Sequence, residues 1–290
     1  MTDHTVAVVG LGPMGAPIAS NLAGAGFDTA VWNRTRSVAE AFASVARVPE
    51  RLEDLNSAVI LSVLPDVDQL ESLATPCVLA AWRAAGTRYV LIMSTTSPTK
   101  VARFAATAAP YDIVTIDAPM SGGDRGAREA TLSVMVGCAP DDFEAILPIL
   151  QAVGTTIERM GDVGSGAVAK LCNQVIVATA MAAVGESLSL ARAYGLDLEQ
   201  LVRILQGGLA RTEVLELKRD KFLQRSYELG GSAENQLKDL RYAQAAADAR
   251  SARSDLVALV GELYAEAVRE GFGADDHSVV QELYLRRRES

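Results

Sequence analysis

The sequence predicts an α/β protein: a doubly wound, mostly parallel sheet, followed by an all-α domain joined to it by one long helix. Three observations carry this. Short Val- and Ile-rich runs alternate with helical stretches through the first half, and strand, helix, strand in repetition marks a parallel sheet covered on both faces. After residue 162 no further strand pattern occurs and the apolar period becomes helical. The first strand runs into glycines spaced as a phosphate-binding turn requires.

Taken in order, TVAVVG (5–10), TAVWN (29–33), AVILSVL (58–64), RYVLIMS (88–94), DIVTIDAP (112–119) and TLSVMVG (131–137) read as strands. Their near-continuous apolar character fits strands buried on both faces. Helical segments fall at 14–25, 36–45 and 98–109, between strands. Beyond TTIERMGDVGSG the helical stretches are 164–194, 197–206, 211–224, 233–249, 254–270 and 275–287, punctuated by glycines suited to helix ends. The expected domains are therefore 1–162 and 163–290.

Composition narrows the function. The formal net charge is -9, from 27 Lys and Arg against 36 Asp and Glu, which disfavours nucleic acid and anionic membrane as partners. The most apolar run, near 175–184, is too short to span a bilayer. The start MTDHTVAVVG lacks the basic opening and long apolar core of a signal peptide. Cys77, Cys138 and Cys172 are far apart and His4 and His277 lie at opposite ends, so free thiols, no metal and a cytoplasmic location are expected.

VAVVGLGPMGAPIASNLAGAG places Gly10, Gly12 and Gly15 in a GxGxxG spacing, with Leu11, Pro13 and Met14 between them. The first glycine permits the turn, the second lets backbone approach a pyrophosphate, and the third lets helix and strand pack closely. The helix start then offers unpaired N–H groups to the phosphates. Where an NAD site usually carries a carboxylate after the second strand, this sequence has Asn33, Arg34 and Thr35. A guanidinium binds a 2′-phosphate that a carboxylate would repel, so NADPH is expected over NADH, with Arg36 as reinforcement. Val63, Leu64 and Pro65 after the third strand, and Thr95 and Thr96 after the fourth, are candidates for lining the cofactor path.

These residues resemble the β-hydroxyacid dehydrogenase family, which includes 3-hydroxyisobutyrate dehydrogenases and tartronate semialdehyde reductases. The blocks VAVVGLGPMGAPIASNLAGAGF, DAPMSGGDRGAREATLSVMVG, GSGAVAKLCNQ, LKDLRYA and GADDHS match in order across almost the whole chain. KLCNQ and GGLA look most like the tartronate semialdehyde reductase branch. The resemblance implies a Rossmann domain, a helical domain, an active site in the cleft between them, and homodimers or homotetramers.

Lys170 is the one basic residue between Arg159 and Arg192, in the first turns of the long helix. Asn173 and Gln174, three and four positions later, share its face. From periodicity alone a solvated surface lysine fits as well. An ammonium beside two amides suits a carbonyl oxygen that gains charge as hydride arrives, and by resemblance Lys170 is the catalytic acid and base. In the oxidative direction it must be neutral, and burial favours that form. Ser121, Gly122 and Gly123 offer a hydroxyl and backbone N–H groups to a substrate carboxylate. Lys238, by resemblance, reaches the cofactor side of the cleft. Seven residues before it the family often carries an aromatic. Gly231 stands there in this chain, with Tyr227 nearby as a substitute.

The expected activity is NADPH-dependent reduction of a small carboxylated aldehyde or keto acid, such as tartronate semialdehyde, succinic semialdehyde or glyoxylate. Two alternatives stay open: an imine reductase-like enzyme, which usually lacks the lysine, and a non-catalytic NADP-binding interaction protein of the same fold.

Overall fold

The computed structural model describes residues 5–228 and 230–285; His4 and the last two residues of the helix expected over 275–287 lie outside this range. By Cα proximity the chain divides into two compact units, residues 1–170 and 171–290.

The first unit is built on an eight-stranded sheet. The strands β1 (Thr5–Val9), β2 (Asp28–Trp32), β3 (Val59–Ser62), β4 (Tyr89–Ile92) and β5 (Val114–Asp117) run parallel in the order β2-β1-β3-β4-β5. In β1, Val6 and Val8 enter one apolar cluster while Ala7 and Val9 enter another, one on each face of the sheet. That is why these runs are apolar at most positions. Helices α1 (Gly15–Gly24), α2 (Arg36–Glu40), α3 (Val67–Leu73), α4 (Pro76–Ala84) and α5 (Pro98–Ala108) connect the strands. The order reverses between β1 and β3, and in such sheets the crevice outside the strand ends at this point receives ligands.

The sheet continues as β6 (Met120–Ser121), α6 (Gly123–Glu129), β7 (Leu132–Gly137), α7 (Pro140–Gln151) and β8 (Gly154–Gly161). Strand β7 is antiparallel to β5 and β6 and parallel to β8. Two differences from the sequence expectation stand out. Strand β8 has one apolar-buried end and a largely exposed remainder, so its residues carry no strong strand signal. The helix expected over 36–45 ends at Glu40, and turns follow.

Helix α8 (Ser165–Ala193) starts in the first unit and continues into the second. Ala167 belongs to the apolar core under the sheet, whereas Leu171, Ala178, Met181, Ala182 and Leu188 enter the core of the second unit. The most apolar window of α8 has a mean hydropathy of 1.6, long and apolar enough by length and composition to cross a bilayer, although no run free of polar residues is. The second unit continues through α9 (Leu198–Gln206), α10 (Glu213–Gln224), α11 (Ala233–Asp248), α12 (Asp255–Ala267) and α13 (Gln281–Leu285). The helix expected over 254–270 stops at Ala267 and widens into a turn that closes at Gly271, where φ is +92°.

Candidate active site

Strand β1 delivers the chain to Gly10, whose φ of +95° is open to glycine at little cost. A Cβ on Gly15 would stand 1.9 Å from the Gly10 carbonyl oxygen, so only glycine lets α1 start this close to the strand. At Gly12 a Cβ would meet nothing within 4 Å, leaving the backbone of the turn open. Helices α3, α4, α5, α9, α10 and α11 begin with a side chain that accepts a backbone N–H. Helix α1 has no such cap and no acidic residue in its first turn. Its orphan donors and positive dipole end fit a pyrophosphate.

The turn is braced from two sides. Asn33 at the end of β2 accepts the Leu11 N–H on its Oδ1 at 3.1 Å and donates from Nδ2 to the Thr35 carbonyl at 3.1 Å. Its amide is thus tied to backbone rather than held out toward a phosphate. Arg36 is turned onto Glu40, with Nε 2.8 Å from Oε1. Arg34 is exposed, and it makes no hydrogen bond or ion pair among the described residues; Thr35 is exposed beside it. On the other side, a Cβ at Gly10 would lie 2.6 Å from the Val63 carbonyl and 2.9 Å from Leu64, so the loop after β3 is brought against the glycine turn.

Pro65 is exposed and Thr95 half-buried. Thr96 is turned inward: it is 1% exposed and its hydroxyl donates to Asp66 Oδ1 at 2.6 Å. Asp66 also takes Lys100 Nζ at 3.2 Å and caps α3. The Thr96 side chain therefore ties two loops together and does not line an open path.

In the substrate-loop block, Ser121 is half-buried and Gly122 and Gly123 are exposed, both with positive φ. Gly123 has open space where a Cβ would project. Lys170 is buried at 8% exposure. Four residues later, about one turn, Gln174 donates from Nε2 to Asp239 Oδ2 at 2.6 Å, so that amide hydrogen is committed to a buried carboxylate on α11. Asn173 is half-buried. Lys238 lies 3.4 Å from Asp239 Oδ1 and 5.8 Å from the centre of the Tyr242 ring.

Tyr227 is no free substitute for the absent aromatic. Its hydroxyl donates to Glu282 at 2.6 Å and accepts from Gln281 at 2.9 Å, and burial with the Glu282 bond pushes its pKa beyond the ordinary range. At Gly231 it is the His277 ring that faces the missing Cβ, at 3.6–3.8 Å, and His277 Nδ1 is 3.0 Å from Gln236 Oε1.

One residue was missed by sequence reasoning. Asp117, at the end of β5, is fully buried, and it accepts the Gly164 N–H on Oδ1 and the Ala167 N–H on Oδ2, each at 2.7 Å. Burial pushes its carboxyl above the ordinary range, while the Gly164, Ala167 and Gly166 N–H groups pull against this. The available signal was a lone carboxylate closing an apolar run, followed later by GxG at 164–166.

Two family profiles cover this architecture. The NAD binding domain of 6-phosphogluconate dehydrogenase matches residues 5–161, and the NAD-binding domain of NADP-dependent 3-hydroxyisobutyrate dehydrogenase matches residues 164–284. The chain belongs to the β-hydroxyacid dehydrogenase family. Among relatives of this family, an NAD-dependent L-serine dehydrogenase of Pseudomonas aeruginosa is 35% identical, over 96% of this chain and 97% of its own length. A 2-hydroxy-3-oxopropionate reductase of Escherichia coli is 34% identical, over 96% of each. The structure of Mycobacterium tuberculosis 3-hydroxyisobutyrate dehydrogenase with L-serine superposes with a TM-score of 0.85 at 27% identity, covering 99% of this chain and 100% of that one. As a β-hydroxyacid dehydrogenase the chain is an oxidoreductase that works with a nicotinamide cofactor.

Proposed function

We propose that this β-hydroxyacid dehydrogenase reduces a small carboxylated aldehyde or keto acid with NADPH, and oxidises the hydroxy acid in reverse, with Lys170 as general acid and base. The observation that carries this reading is a buried ammonium, at 8% exposure, on the helix whose first turn is bonded to the end of β5. The bound nicotinamide supplies or accepts the hydride. In the reductive direction Lys170 Nζ gives its proton to the carbonyl oxygen as negative charge grows there, and it is reprotonated from solvent. In the oxidative direction neutral Lys170 takes the hydroxyl proton. Asn173 holds the same oxygen or a neighbouring hydroxyl. Ser121 and the backbone of Gly122 and Gly123 hold the substrate carboxylate.

The relatives' substrates support a narrower class. L-Serine, 3-hydroxyisobutyrate and 2-hydroxy-3-oxopropionate each carry a carboxylate two carbons from a primary alcohol or aldehyde. The preference for NADPH rests on Arg34, an exposed guanidinium that no other described residue engages. Assembly into dimers or tetramers belongs to the same reading: Ile176, Leu190, Tyr194 and Ile204 are 70%, 61%, 79% and 75% exposed.

The test is a panel of tartronate semialdehyde, succinic semialdehyde, methylmalonate semialdehyde and glyoxylate assayed with NADPH and NADH side by side. Turnover is expected on at least one member, with kcat/KM higher for NADPH. Arg34→Ala should lower kcat/KM for NADPH by about tenfold or more and leave NADH little changed, as loss of a charge-assisted phosphate contact predicts. Turnover confined to NADH would refute the role given to Arg34.

A further inference from the structure

Helices α3, α4, α5, α9, α10 and α11 are each capped by a neighbouring Ser, Thr or Asp, at little cost in desolvation. Helix α8 is held differently. The acceptor for its first turn is a carboxylate from β5, far away in sequence and wholly removed from water. A buried carboxylate is expensive unless each oxygen is bonded. Here both oxygens accept a backbone N–H at 2.7 Å, the short distance of a charge-assisted bond.

The surroundings are shaped to this carboxylate. On Gly137, the residue of β7 that pairs with Asp117, a Cβ would stand 2.3 Å from Oδ1. On Gly166 a Cβ would stand 3.0 Å from Oδ2 and 2.2 Å from the Met135 carbonyl. Two strands and the helix start thus close around one side chain, and its two bonds fix the backbone at Gly164 and Ala167. Lys170 follows Ala167 by three residues, less than one turn and about 4.5 Å along the axis. Whatever shifts Ala167 shifts Lys170 with it.

We propose that Asp117 is a positioning residue for Lys170: by binding the first turn of α8 to the end of β5, it sets where the ammonium stands relative to the substrate carbonyl. This rests on the reading of Lys170 as the proton donor. Proton transfer tolerates little misplacement, and a shift of about 1 Å is enough to cost about 100-fold in rate.

The experiment compares Asp117→Asn, Asp117→Ser and Lys170→Ala with wild type in the full chain. NADPH fluorescence titration counts folded sites, and the most active aldehyde of the panel is the substrate. In both Asp117 variants kcat per NADPH site is expected to fall about 10- to 100-fold, with KM and NADPH affinity little changed. The solvent deuterium isotope effect on kcat should rise, because the misplaced proton transfer becomes slower; a merely structural loss would not move it. Wild-type kcat and isotope effect in both Asp117 variants, with Lys170→Ala inactive, would overturn the inference and leave the reading of Lys170 intact. Wild-type kcat in Lys170→Ala would overturn that reading, and the inference with it. If neither Asp117 variant binds NADPH, amide hydrogen exchange on the wild-type chain decides: strong protection at Gly164 and Ala167 is expected, and exchange at exposed-loop rates would overturn the inference.

Discussion

Among the described residues each compact unit buries one aspartate completely, and the two are held in different ways, one by backbone alone and one by a lysine. Asp117 in the first unit is bound by backbone N–H groups of Gly164 and Ala167. Asp276 in the second is bound by Lys218 Nζ at 2.5 Å on Oδ2 and by both the hydroxyl (2.7 Å) and the backbone N–H (3.0 Å) of Ser278 on Oδ1, with Lys221 Nζ 3.9 Å away. Backbone donors do not move without moving the helix they belong to, so Asp117 is a geometric lock. A lysine ammonium is mobile and charged, so Asp276 is a charge-balanced tether between α10 and the turn before α13. Burial pushes both carboxyls up. At Asp117 the backbone bonds leave the net shift upward, whereas at Asp276 the His277 charge and the Lys218 bond bring it below the ordinary value.

The sharpest break of this comparison removes the ammonium. Lys218→Met should destabilise the fold by about 3 kcal/mol, the lower end for stranding a buried charge, because Lys221 can partly replace it. Urea denaturation measures this, and a loss below about 1 kcal/mol would show that Lys218 is not the tether. Next in size, Gly137→Ala forces a methyl against the Asp117 carboxylate and should cost about 1–3 kcal/mol by the same measurement.

The smallest effect is the most discriminating. The folded value of Asp276 is depressed, so its contribution is present above the unfolded pKa near ~4 and is lost as pH falls through the folded value. The folded value of Asp117 is raised, so its contribution is largest below ~4 and declines as pH rises through that value. Against wild type, Asp276→Asn should flatten the rise of stability out of acid, and Asp117→Asn should flatten the fall above it. Denaturation midpoints followed from about pH 3 to 7 test both signs. Slopes altered in the same direction in the two variants would contradict the contrast.

The same contrast explains what could be read beforehand. Strands β1 to β5 were legible because burial on both faces makes most of their positions apolar. The glycine turn was legible because close approach leaves a residue-type signature at Gly10 and Gly15. Strand β8 alternates and is mostly exposed, and the antiparallel turn of β7 is a pairing choice that no local pattern records. Among site candidates, Thr96 and Gln174 were polar residues at plausible positions whose partners, Asp66 and Asp239, are distant in sequence. Asp117 escaped for the same reason, since its donors are 47 and 50 residues away.

The most direct measurement is single-turnover NADPH oxidation by Lys170→Met at saturating aldehyde, with NADPH affinity measured on the same preparation. Loss of the proton donor should slow the reaction by about 10²- to 10⁴-fold while the cofactor binds as before. An unchanged rate would mean that the ammonium on α8 takes no part in the chemistry.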